Sequence, residues 1–408
     1  MEPRLEIIAQ LASETPSKIV LLVFDGLGDV PLAELGGMTP LEAARKPNLK
    51  TLAAASSLGL IDPVFPGVTP GSGPGHLGLF GYEPTAYEIG RGLIEGLGIG
   101  FAFSGDDVAS RFNFATMDEA GTITDRRAGR IGSEEAAGLC ARLQEAIPEI
   151  DGARVFVRAV KEHRGVAVFR KAGLGGSLPD TDPQKTGVPQ LEPVGLDDRS
   201  KATAAVVRTF LRRANEVLRD RRTANTVLMR GFSTYLPLPP FLDLYKLRAC
   251  AIATYPMYRG LASLAGMEVV AAGETLEDEV RALEKAWDSH TFFFIHVKKT
   301  DSYGEDGNAR GKTSVIEETD RILLPAILEK RPAVLCVTGD HSTPCALKAH
   351  SWHPVPLMIH SVSAIPSAEA DADFGERHCA RGSLGRLRAK YLMPLLLSHA
   401  GKLVKFGA

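Results

Sequence analysis

Three short hydrophobic runs, each followed by an acidic residue, place the strongest constraint on how this chain can fold. The acidic residues are Asp25, Asp301 and Asp340, and the runs before them occupy residues 19–24, 292–297 and 334–338. Runs this short and this rich in Val, Ile and Phe are typical of buried parallel strands. Because ligands of open α/β sheets bind outside the carboxyl ends of the strands, we expect the three carboxylates to meet there.

Carboxylates held this close together require a cation. His341 directly follows Asp340, and oxygen and imidazole ligands suit Mn²⁺, Mg²⁺ or Zn²⁺. Asp301 and Glu305 are four residues apart, so on a helical turn they face the same side. His350 is a further candidate ligand, and His353 competes with it. The alternatives are capping or solvated acidic residues and structural histidines, but the combination predicts a metalloenzyme.

Ser72 is the candidate nucleophile because it lies in a glycine-rich segment at residues 69–76. Glycines allow close approach of the backbone to a bulky anion, and successive N–H groups form an anion-binding nest. A serine hydroxyl is a weak nucleophile until a metal or a base activates it. The competing interpretation is a plain flexible loop, so this assignment depends on the neighbouring candidates.

Composition excludes several classes of protein. The formal net charge of the 408 residues is −2, which gives no reason to expect nucleic acid or an anionic membrane as a partner. The five cysteines are scattered without a CxxC pair, which argues against a disulfide scaffold or a cysteine-ligated zinc. The first residues do not resemble a signal peptide, and no apolar run reaches the roughly 20 residues of a membrane span. We therefore expect a cytoplasmic protein.

The chain changes character in its middle third. Strand and helix patterns alternate before residue 105, whereas residues 155–160 and 166–170 predict an antiparallel hairpin with amphipathic helices around it. The alternating pattern resumes near residue 226. We therefore predict an α/β core formed by residues 1–104 and 226–408, with a smaller α+β domain inserted at residues 105–225.

These motifs together resemble the archaeal-type branch of cofactor-independent phosphoglycerate mutases, in the alkaline phosphatase superfamily. The matching segments are residues 24–29, 36–44, 69–72, 78–82, 113–116, 125–130, 301 with 305, 339–344, and 350 with 354–356. Each motif is short, but their order and spacing are specific. The resemblance implies a mostly parallel, alkaline-phosphatase-like sheet flanked by helices.

The resemblance also implies two divalent metal ions, usually Mn²⁺, with Mg²⁺, Co²⁺ or Zn²⁺ as alternatives. One ion would be held by Asp25, Ser72, Asp340 and His341, and the other by Asp301, residue 305 and His350. His350 matches rather than His353, because it stands four residues before the proline of Pro-Val-Pro. Two departures occur: Glu305 stands where the family usually has histidine, and Gly-Pro-Gly follows Ser72 where Asp-Thr-Ala is common.

The activity implied is the interconversion of 3-phosphoglycerate and 2-phosphoglycerate, a step of glycolysis and gluconeogenesis, through a phosphoserine at Ser72. No bisphosphoglycerate is needed, and Asp125 would move the proton between the two hydroxyls. The substrate-binding residues carried over are Arg91, Asn113, Arg126, Arg127, Arg130, His163 and Arg164. The alternatives are a metal-dependent hydrolase of phosphomonoesters or phosphonates from the same superfamily, and an inactive relative that senses a metabolite.

Overall fold

The computed structural model describes residues 2–87, 89–366 and 371–407. The chain divides into two units, one formed by residues 1–87 with 238–408 and the other by residues 88–237. The first unit is thus interrupted in sequence by the second. None of the described helices is both long and apolar enough to cross a lipid bilayer.

The elements are numbered in chain order. The strands are β1 (Ile19–Phe24), β2 (Ser57–Asp62), β3 (Asp107–Met117), β4 (Ile123–Asp125), β5 (Glu149–Ile150), β6 (Ala153–Lys161), β7 (Arg164–Arg170), β8 (Thr226–Thr234), β9 (Ala249–Ala253), β10 (Glu268–Val270), β11 (Phe292–Val297), β12 (Val334–Gly339), β13 (Val355–Ser361) and β14 (Gly385–Arg388). The helices are α1 (Pro3–Leu11), α2 (Pro40–Ala43), α3 (Pro47–Ala53), α4 (Ser72–Leu79), α5 (Arg91–Gly98), α6 (Ser133–Ala146), α7 (Asp198–Leu218), α8 (Phe241–Tyr245), α9 (Pro256–Leu264), α10 (Leu276–Ala286), α11 (Lys299–Asp306), α12 (Ala309–Glu329), α13 (Glu376–Cys379) and α14 (Leu392–His399). Short 3₁₀ helices lie at Ala33–Leu35, Pro84–Ala86, Ala128–Arg130 and Ala389–Tyr391.

The first unit is built on an eight-stranded sheet in the order β10-β9-β11-β1-β12-β13-β2-β14. Neighbouring strands are parallel except where β13 pairs antiparallel with β12 and β2. Every residue of β1, β11 and β12 is buried, as their continuous apolar sequences predict for strands covered on both faces. The expected α/β class with a mostly parallel sheet is confirmed.

The second unit contains an antiparallel sheet in the order β4-β3-β7-β6-β5, with β8 also paired to β3. The predicted hairpin is present as β6 and β7. One face of this sheet buries aromatic and aliphatic side chains against α6 and α7, including Phe169 and Phe210, whose rings meet edge to face at 5.5 Å. This arrangement is α+β, as the sequence indicated.

The boundaries between the units differ from those predicted. We expected the inserted domain at 105–225, whereas the second unit spans residues 88–237. The reason is β8, whose residues 226–234 read as the first returning strand of the core but pair with β3 instead. Helix α5 likewise lies against β3 and β8, so residues 91–98 belong to the second unit. Strand pairing is non-local, and a strand pattern alone does not say which sheet the strand joins.

Candidate active site

The strand register brings the predicted carboxylates to one edge of the core sheet. Phe24, the last residue of β1, is level with Val297 of β11 and with Gly339 of β12. The residues that directly follow β1, β11 and β12 are Asp25, Lys298 and Asp340, respectively. The backbone N–H of Asp25 donates to the carbonyl of Val297 at 2.9 Å, which continues the ladder by one residue. The edge therefore carries two carboxylates and one ammonium group in direct register.

Asp25, Asp340 and His341 form the first group of converging ligand atoms. The Nε2 atom of His341 lies 3.2 Å from Oδ1 of Asp25 and 3.3 Å from Oδ2 of Asp340. The hydroxyl oxygen of Ser72 lies 3.3 Å from the same Nε2 atom. The structure thus brings together the four residues that the resemblance assigned to one ion.

Asp301, His341 and His350 form a second group that shares His341 with the first. The Nε2 atom of His350 lies 3.5 Å from Oδ1 of Asp301. The Nδ1 atom of His350 donates to the carbonyl of Pro70 at 3.0 Å, because a carbonyl oxygen only accepts. This hydrogen bond leaves Nε2 directed toward the carboxylate, which is the arrangement of a metal-ligating histidine.

The buried oxygen atoms of this centre fit divalent cations. Asp25 and Asp340 are fully buried, and one carboxylate oxygen of each, Oδ1 and Oδ2 respectively, has no hydrogen-bond partner among the residues that the structure describes. A buried carboxylate oxygen without a partner is costly, and a cation among such oxygens removes the cost. The donor set of carboxylate, hydroxyl and imidazole suits Mn²⁺, Mg²⁺ or Zn²⁺. The residues present are therefore suited to hold two divalent ions.

Lys298 connects the two groups electrostatically. Its Nζ atom lies 2.8 Å from Oδ2 of Asp25 and 2.6 Å from Oδ2 of Asp301. Burial opposes ionisation of Asp25, but Lys298 and the nearby histidines hold the pKa of its carboxyl well below the usual range. Burial likewise opposes the charged form of Lys298, yet the two carboxylates raise the pKa of its ammonium. The centre is thus charged, with carboxylates ready to accept cations.

Aromatic side chains pack against the group formed by Asp25, Asp340 and His341. The hydroxyl of Tyr258 donates to Oδ2 of Asp25, and the Tyr258 ring stacks on His296 at a centroid distance of 3.7 Å. Burial lowers the pKa of His296 to about 3, so its imidazole is neutral. His76 donates from Nδ1 to the carbonyl of Ser72 at 2.8 Å and lies 3.2 Å from Oδ2 of Asp340. These contacts fix the orientation of the two carboxylates and of Ser72.

Ser72 is the first residue of α4 and is 6% exposed. Gly75 lets this helix approach the β12 end closely, since a Cβ atom at position 75 would lie 2.2 Å from the carbonyl oxygen of Asp340. The unusual Gly-Pro-Gly sequence after Ser72 therefore has a local steric role at its last glycine. A larger residue there would push the serine away from the carboxylates.

A buried ion pair joins the loops that carry the ligands. The Nζ atom of Lys312, on α12, lies 2.9 Å from Oδ2 of Asp29. It also donates to the carbonyl of Gly28 at 3.2 Å and to that of Thr343 at 2.9 Å. Gly28 follows the β1 end and Thr343 follows the β12 end, so Lys312 ties together the two loops that present Asp25 and Asp340.

Glu305 does not join either group. It lies on α11, four residues after Asp301, but its side chain is exposed whereas Asp301 is 4% exposed. The buried face of α11 carries Thr300, Asp301 and Gly304, and position 305 falls beyond that face. His353 is also outside the two groups, and its Nδ1 atom is 2.9 Å from the hydroxyl of Ser351.

The second unit holds a cluster of arginines around one buried carboxylate. Glu95 and Arg111 are 2% and 6% exposed, and Nη1 of Arg111 lies 3.4 Å from Oε1 of Glu95. Nη2 of Arg111 donates to Oδ1 of Asn113 at 3.1 Å. Burial lowers the pKa of Arg111 despite Glu95, and Arg91, Arg164 and Arg230 are near enough to lower it further. The arginine cluster (Arg91, Arg111, Arg164 and Arg230) is partly paired, since Arg164 contacts Glu162 and Arg230 contacts Asp180, and its guanidinium groups are of the kind that bind carboxylate or phosphate.

The predicted site residues between positions 125 and 130 differ in their hydrogen-bond partners and in their exposure. Arg126 forms a bidentate pair with Asp182, at 2.8 and 2.7 Å, and so has a structural partner already. Asp125 accepts hydrogen bonds from the backbone N–H groups of Arg127 and Gly129. The side chains of Arg127 and Arg130 are exposed.

His163 is buried at the turn of the hairpin. Its Nδ1 atom has no hydrogen-bond partner within the described residues. Burial and the neighbouring arginines lower the pKa of its imidazole to about 4, so the ring is neutral. A neutral, unpartnered ring nitrogen beside arginines is available to a ligand.

Sequence reasoning overlooked several residues of these sites. Lys298 had a signal, since it directly follows β11 just as Asp25 follows β1. Arg111 also had one, because it stands two residues before Asn113 on the same face of a strand. Tyr258 and Lys312 had none, as they lie on helices whose approach to the sheet edge depends on tertiary packing.

Comparisons with known proteins agree with these features. A family model described as 2,3-bisphosphoglycerate-independent phosphoglycerate mutase matches residues 53–224. A Thermotoga neapolitana protein named as a probable mutase of this kind is 52% identical over 401 residues, which is 98% of each chain. A protein of the same name from Thermus thermophilus is 52% identical over 407 residues, covering 98% of this chain and 99% of that one.

Two solved structures are also similar. The first is a protein from Pyrococcus horikoshii, with a TM-score of 0.82, 30% identity, and coverage of 96% of this chain and 99% of that chain. The second is described as a cofactor-independent phosphoglycerate mutase from Thermoplasma acidophilum. It has a TM-score of 0.71 and 30% identity, and the match covers 94% of this chain and 100% of that chain.

Proposed function

The chain belongs to the family of 2,3-bisphosphoglycerate-independent phosphoglycerate mutases, and from this premise we propose that it interconverts 3-phosphoglycerate and 2-phosphoglycerate through a phosphoserine at Ser72. The enzyme is an isomerase, and no bisphosphoglycerate takes part. The observation that carries the proposal is the Ser72 hydroxyl, 3.3 Å from His341 at a centre suited to two divalent ions. We place the reaction in the cytoplasm, which agrees with the buried, unpaired state of all five cysteines.

The environment of Ser72 favours a nucleophilic hydroxyl. Ser72 begins α4, and the positive end of a helix dipole stabilises negative charge on an oxygen or a phosphoryl group there. The Nε2 atom of His341 lies 3.3 Å from its hydroxyl oxygen. Because the serine is almost buried, bulk water has little access to a phosphoryl group attached to it.

Asp25, Ser72, Asp340 and His341 would hold one divalent ion, and Asp301 and His350, with His341 nearby, would hold the other. When bound, the two ions would neutralise the phosphoryl group and stabilise charge on the attacking and leaving oxygens. We propose Mn²⁺ for both, since hard oxygen ligands predominate. The side chains of Lys298 and Tyr258 position Asp25 beneath the reacting group.

The chemistry consists of two matched displacements at phosphorus. The oxygen of Ser72 forms a bond to the phosphorus of 3-phosphoglycerate while the bond from phosphorus to the C3 oxygen breaks. The C3 oxygen takes up a proton, which balances the proton lost by the Ser72 hydroxyl, and free glycerate remains. In the second displacement the C2 hydroxyl of glycerate loses a proton and its oxygen bonds to phosphorus, while the bond from phosphorus to the Ser72 oxygen breaks and Ser72 regains a proton. We propose that Asp125 accepts and returns this proton, as the family resemblance implies.

A mutase must hold glycerate between the two displacements, and we propose that the second unit does this. The arginine cluster gathers four guanidinium groups around Glu95 and Arg111, and guanidinium groups bind carboxylates in a bidentate manner. Asn113 and the neutral His163 add hydrogen-bonding groups to it. We further propose that Arg127 and Arg130, whose side chains are exposed, contribute to substrate binding. Arg126 would support this segment through Asp182.

Phosphorus NMR tests this function directly. The Mn²⁺-loaded enzyme is mixed with 3-phosphoglycerate in the absence of bisphosphoglycerate, and the phosphorus signals are followed. We expect conversion to 2-phosphoglycerate without inorganic phosphate, and no conversion by the Ser72→Ala variant. Accumulation of inorganic phosphate would identify a hydrolase, and a requirement for added bisphosphoglycerate would exclude the proposed route.

A further inference from the structure

A cavity of about 330 Å³ lies in the first unit, beside the carboxyl ends of β9 and β11. Its lining comes from the residue after β9, from the end of β11, from the start of α10, and from the middle of α12. Small-molecule sites in proteins begin at about this volume. None of the residues assigned as metal ligands contributes to its lining.

Glu279, on α10, is the unusual residue in this lining. It is 4% exposed, and its Oε2 atom has no hydrogen-bond partner in the described part of the chain. Burial raises the pKa of this carboxyl to about 8, and the neighbouring Asp278 raises it as well. A buried carboxyl group without a partner costs stability, so its presence in a cavity wall requires a reason.

The rest of the lining indicates what would complement Glu279. Leu276, Val315 and Ile322 supply apolar surface, and the exposed Glu274, Glu277 and Glu318 also line the cavity. These surfaces match a molecule with a short aliphatic body and a positive head.

The charged residues of the lining decide between a metal ion and an organic cation as the partner of Glu279. Lys298 lines the cavity, but its ammonium group is paired with Asp25 and Asp301. Lys299 and Arg321 also line it, and both are exposed. A bare divalent ion needs several oxygen ligands at once, whereas Glu279 is the only buried carboxylate of the described lining. An ammonium group needs fewer partners, so an organic amine fits better than a metal.

We propose that this cavity binds a small primary aliphatic amine. The ammonium group would pair with the carboxylate of Glu279, and the alkyl chain would lie against Leu276, Val315 and Ile322. This cavity adjoins the proposed phosphoryl-transfer site through Lys298 but contains none of its candidate metal ligands, and binding there does not depend on the mutase reaction.

Calorimetric titration of the metal-loaded protein tests the proposal. The probe is n-butylammonium chloride, and 1-butanol serves as the uncharged molecule of the same shape. We expect the amine to bind the wild-type protein at least about tenfold more tightly than the alcohol, because a buried charge pair is lost with the alcohol. Equal affinity for the two probes, or no binding of the amine, would overturn the proposal.

Variants locate the site. Glu279→Gln keeps the shape of the side chain and is expected to weaken amine binding at least about tenfold. Glu277→Gln, at an exposed position of the lining, is the matched control and should change the affinity by less than about threefold. Val315→Phe fills the cavity and should abolish binding even if Glu279→Gln folds poorly. Unchanged amine affinity in Glu279→Gln would refute the assignment. A Glu279→Gln variant that loses a bound Mn²⁺ ion but keeps its affinity for the amine would refute it as well.

Discussion

At the scale of single residues, Lys298 offsets part of the negative charge of the carboxylates in the candidate metal centre. Its ammonium group contacts one carboxylate from each group of candidate metal ligands, Asp25 and Asp301. Its positive charge therefore opposes divalent cations at the same two carboxylates. The strand-end pattern predicted both carboxylates but overlooked the lysine, although Lys298 directly follows β11 just as Asp25 follows β1.

Replacing Lys298 by methionine should tighten Mn²⁺ binding, because a competing positive charge is removed from the two carboxylates. The expected gain is about threefold to tenfold in affinity, measured by competition with a fluorescent chelator. Turnover should fall at the same time, since the side chain also positions Asp25. The control is Lys299→Met, at the next and exposed position. Weaker Mn²⁺ binding by Lys298→Met would contradict this account.

Glu279 should make stability depend on pH in a defined direction. Its pKa is about 8 in the folded protein against an ordinary value of 4.5, so between these values the folded state holds a proton that the unfolded state has lost. Stability therefore falls as pH rises from about 4.5 to 8 by up to roughly 1.4 kcal/mol per pH unit, and the effect levels off above pH 8.

Glu279→Gln removes this ionisation. Its melting temperature should exceed that of the wild type at pH 8, with a smaller difference at pH 5.5. Thermal unfolding of the two proteins at both pH values is the measurement. A constant difference across this range would mean that Glu279 is ionised in the folded protein.

At the scale of elements, the catalytic edge depends on close approaches between strand ends, helix starts and loops. Helix α4 reaches the β12 end at Gly75, and α12 contributes Lys312 beneath the loops after β1 and β12. The sequence indicated Asp25, Asp301 and Asp340 because each follows a short hydrophobic run typical of a buried parallel strand. It did not indicate Lys312, because helix packing against these loops follows from the three-dimensional fold.

Gly75→Ala tests this close approach. The new methyl carbon would lie 2.2 Å from the backbone oxygen of Asp340, and a backbone atom cannot move aside without shifting the candidate metal ligands. We expect a loss of about 1–3 kcal/mol in stability, as for overpacked cores, together with weaker Mn²⁺ binding. Chemical denaturation and metal titration measure the two effects.

The matched control is Gly138→Ala, within the exposed surface of α6. No heavy atom lies within 4 Å of a Cβ at that position, so alanine should stabilise the helix by up to about 1 kcal/mol. If Gly75→Ala behaved like Gly138→Ala, then α4 would not be in the tight contact described.

At the scale of the whole molecule, the order of motifs predicted the fold class, the discontinuous core and the family. Hydrophobic runs and their spacing suffice for the fold class, because they reflect burial of strands on both faces, whereas the family came from the resemblance of the short motifs. The limits of the second unit could not be obtained in this way. They depend on β8 pairing with β3, more than a hundred residues earlier in the chain, and non-local pairing leaves no local pattern.

The same limit applies to the arginine cluster. Arg91 and Arg164 were predicted, while Arg111 and Arg230 were not, although all four surround Glu95 or Arg111 in the structure. They come from α5, β3, β7 and β8, which are brought together by the antiparallel sheet. A cluster assembled from four elements has no sequence signature of its own.

The central claim is that the phosphoryl group passes through Ser72, and mass spectrometry tests it most directly. The Mn²⁺-loaded enzyme is mixed with 3-phosphoglycerate, quenched in acid within milliseconds, and digested for peptide mapping. We predict a phosphoryl group on the peptide containing Ser72, at the hydroxyl of that residue, and its absence from Ser72→Ala. Full turnover by Ser72→Ala, or phosphorylation of a different residue during turnover, would contradict the account.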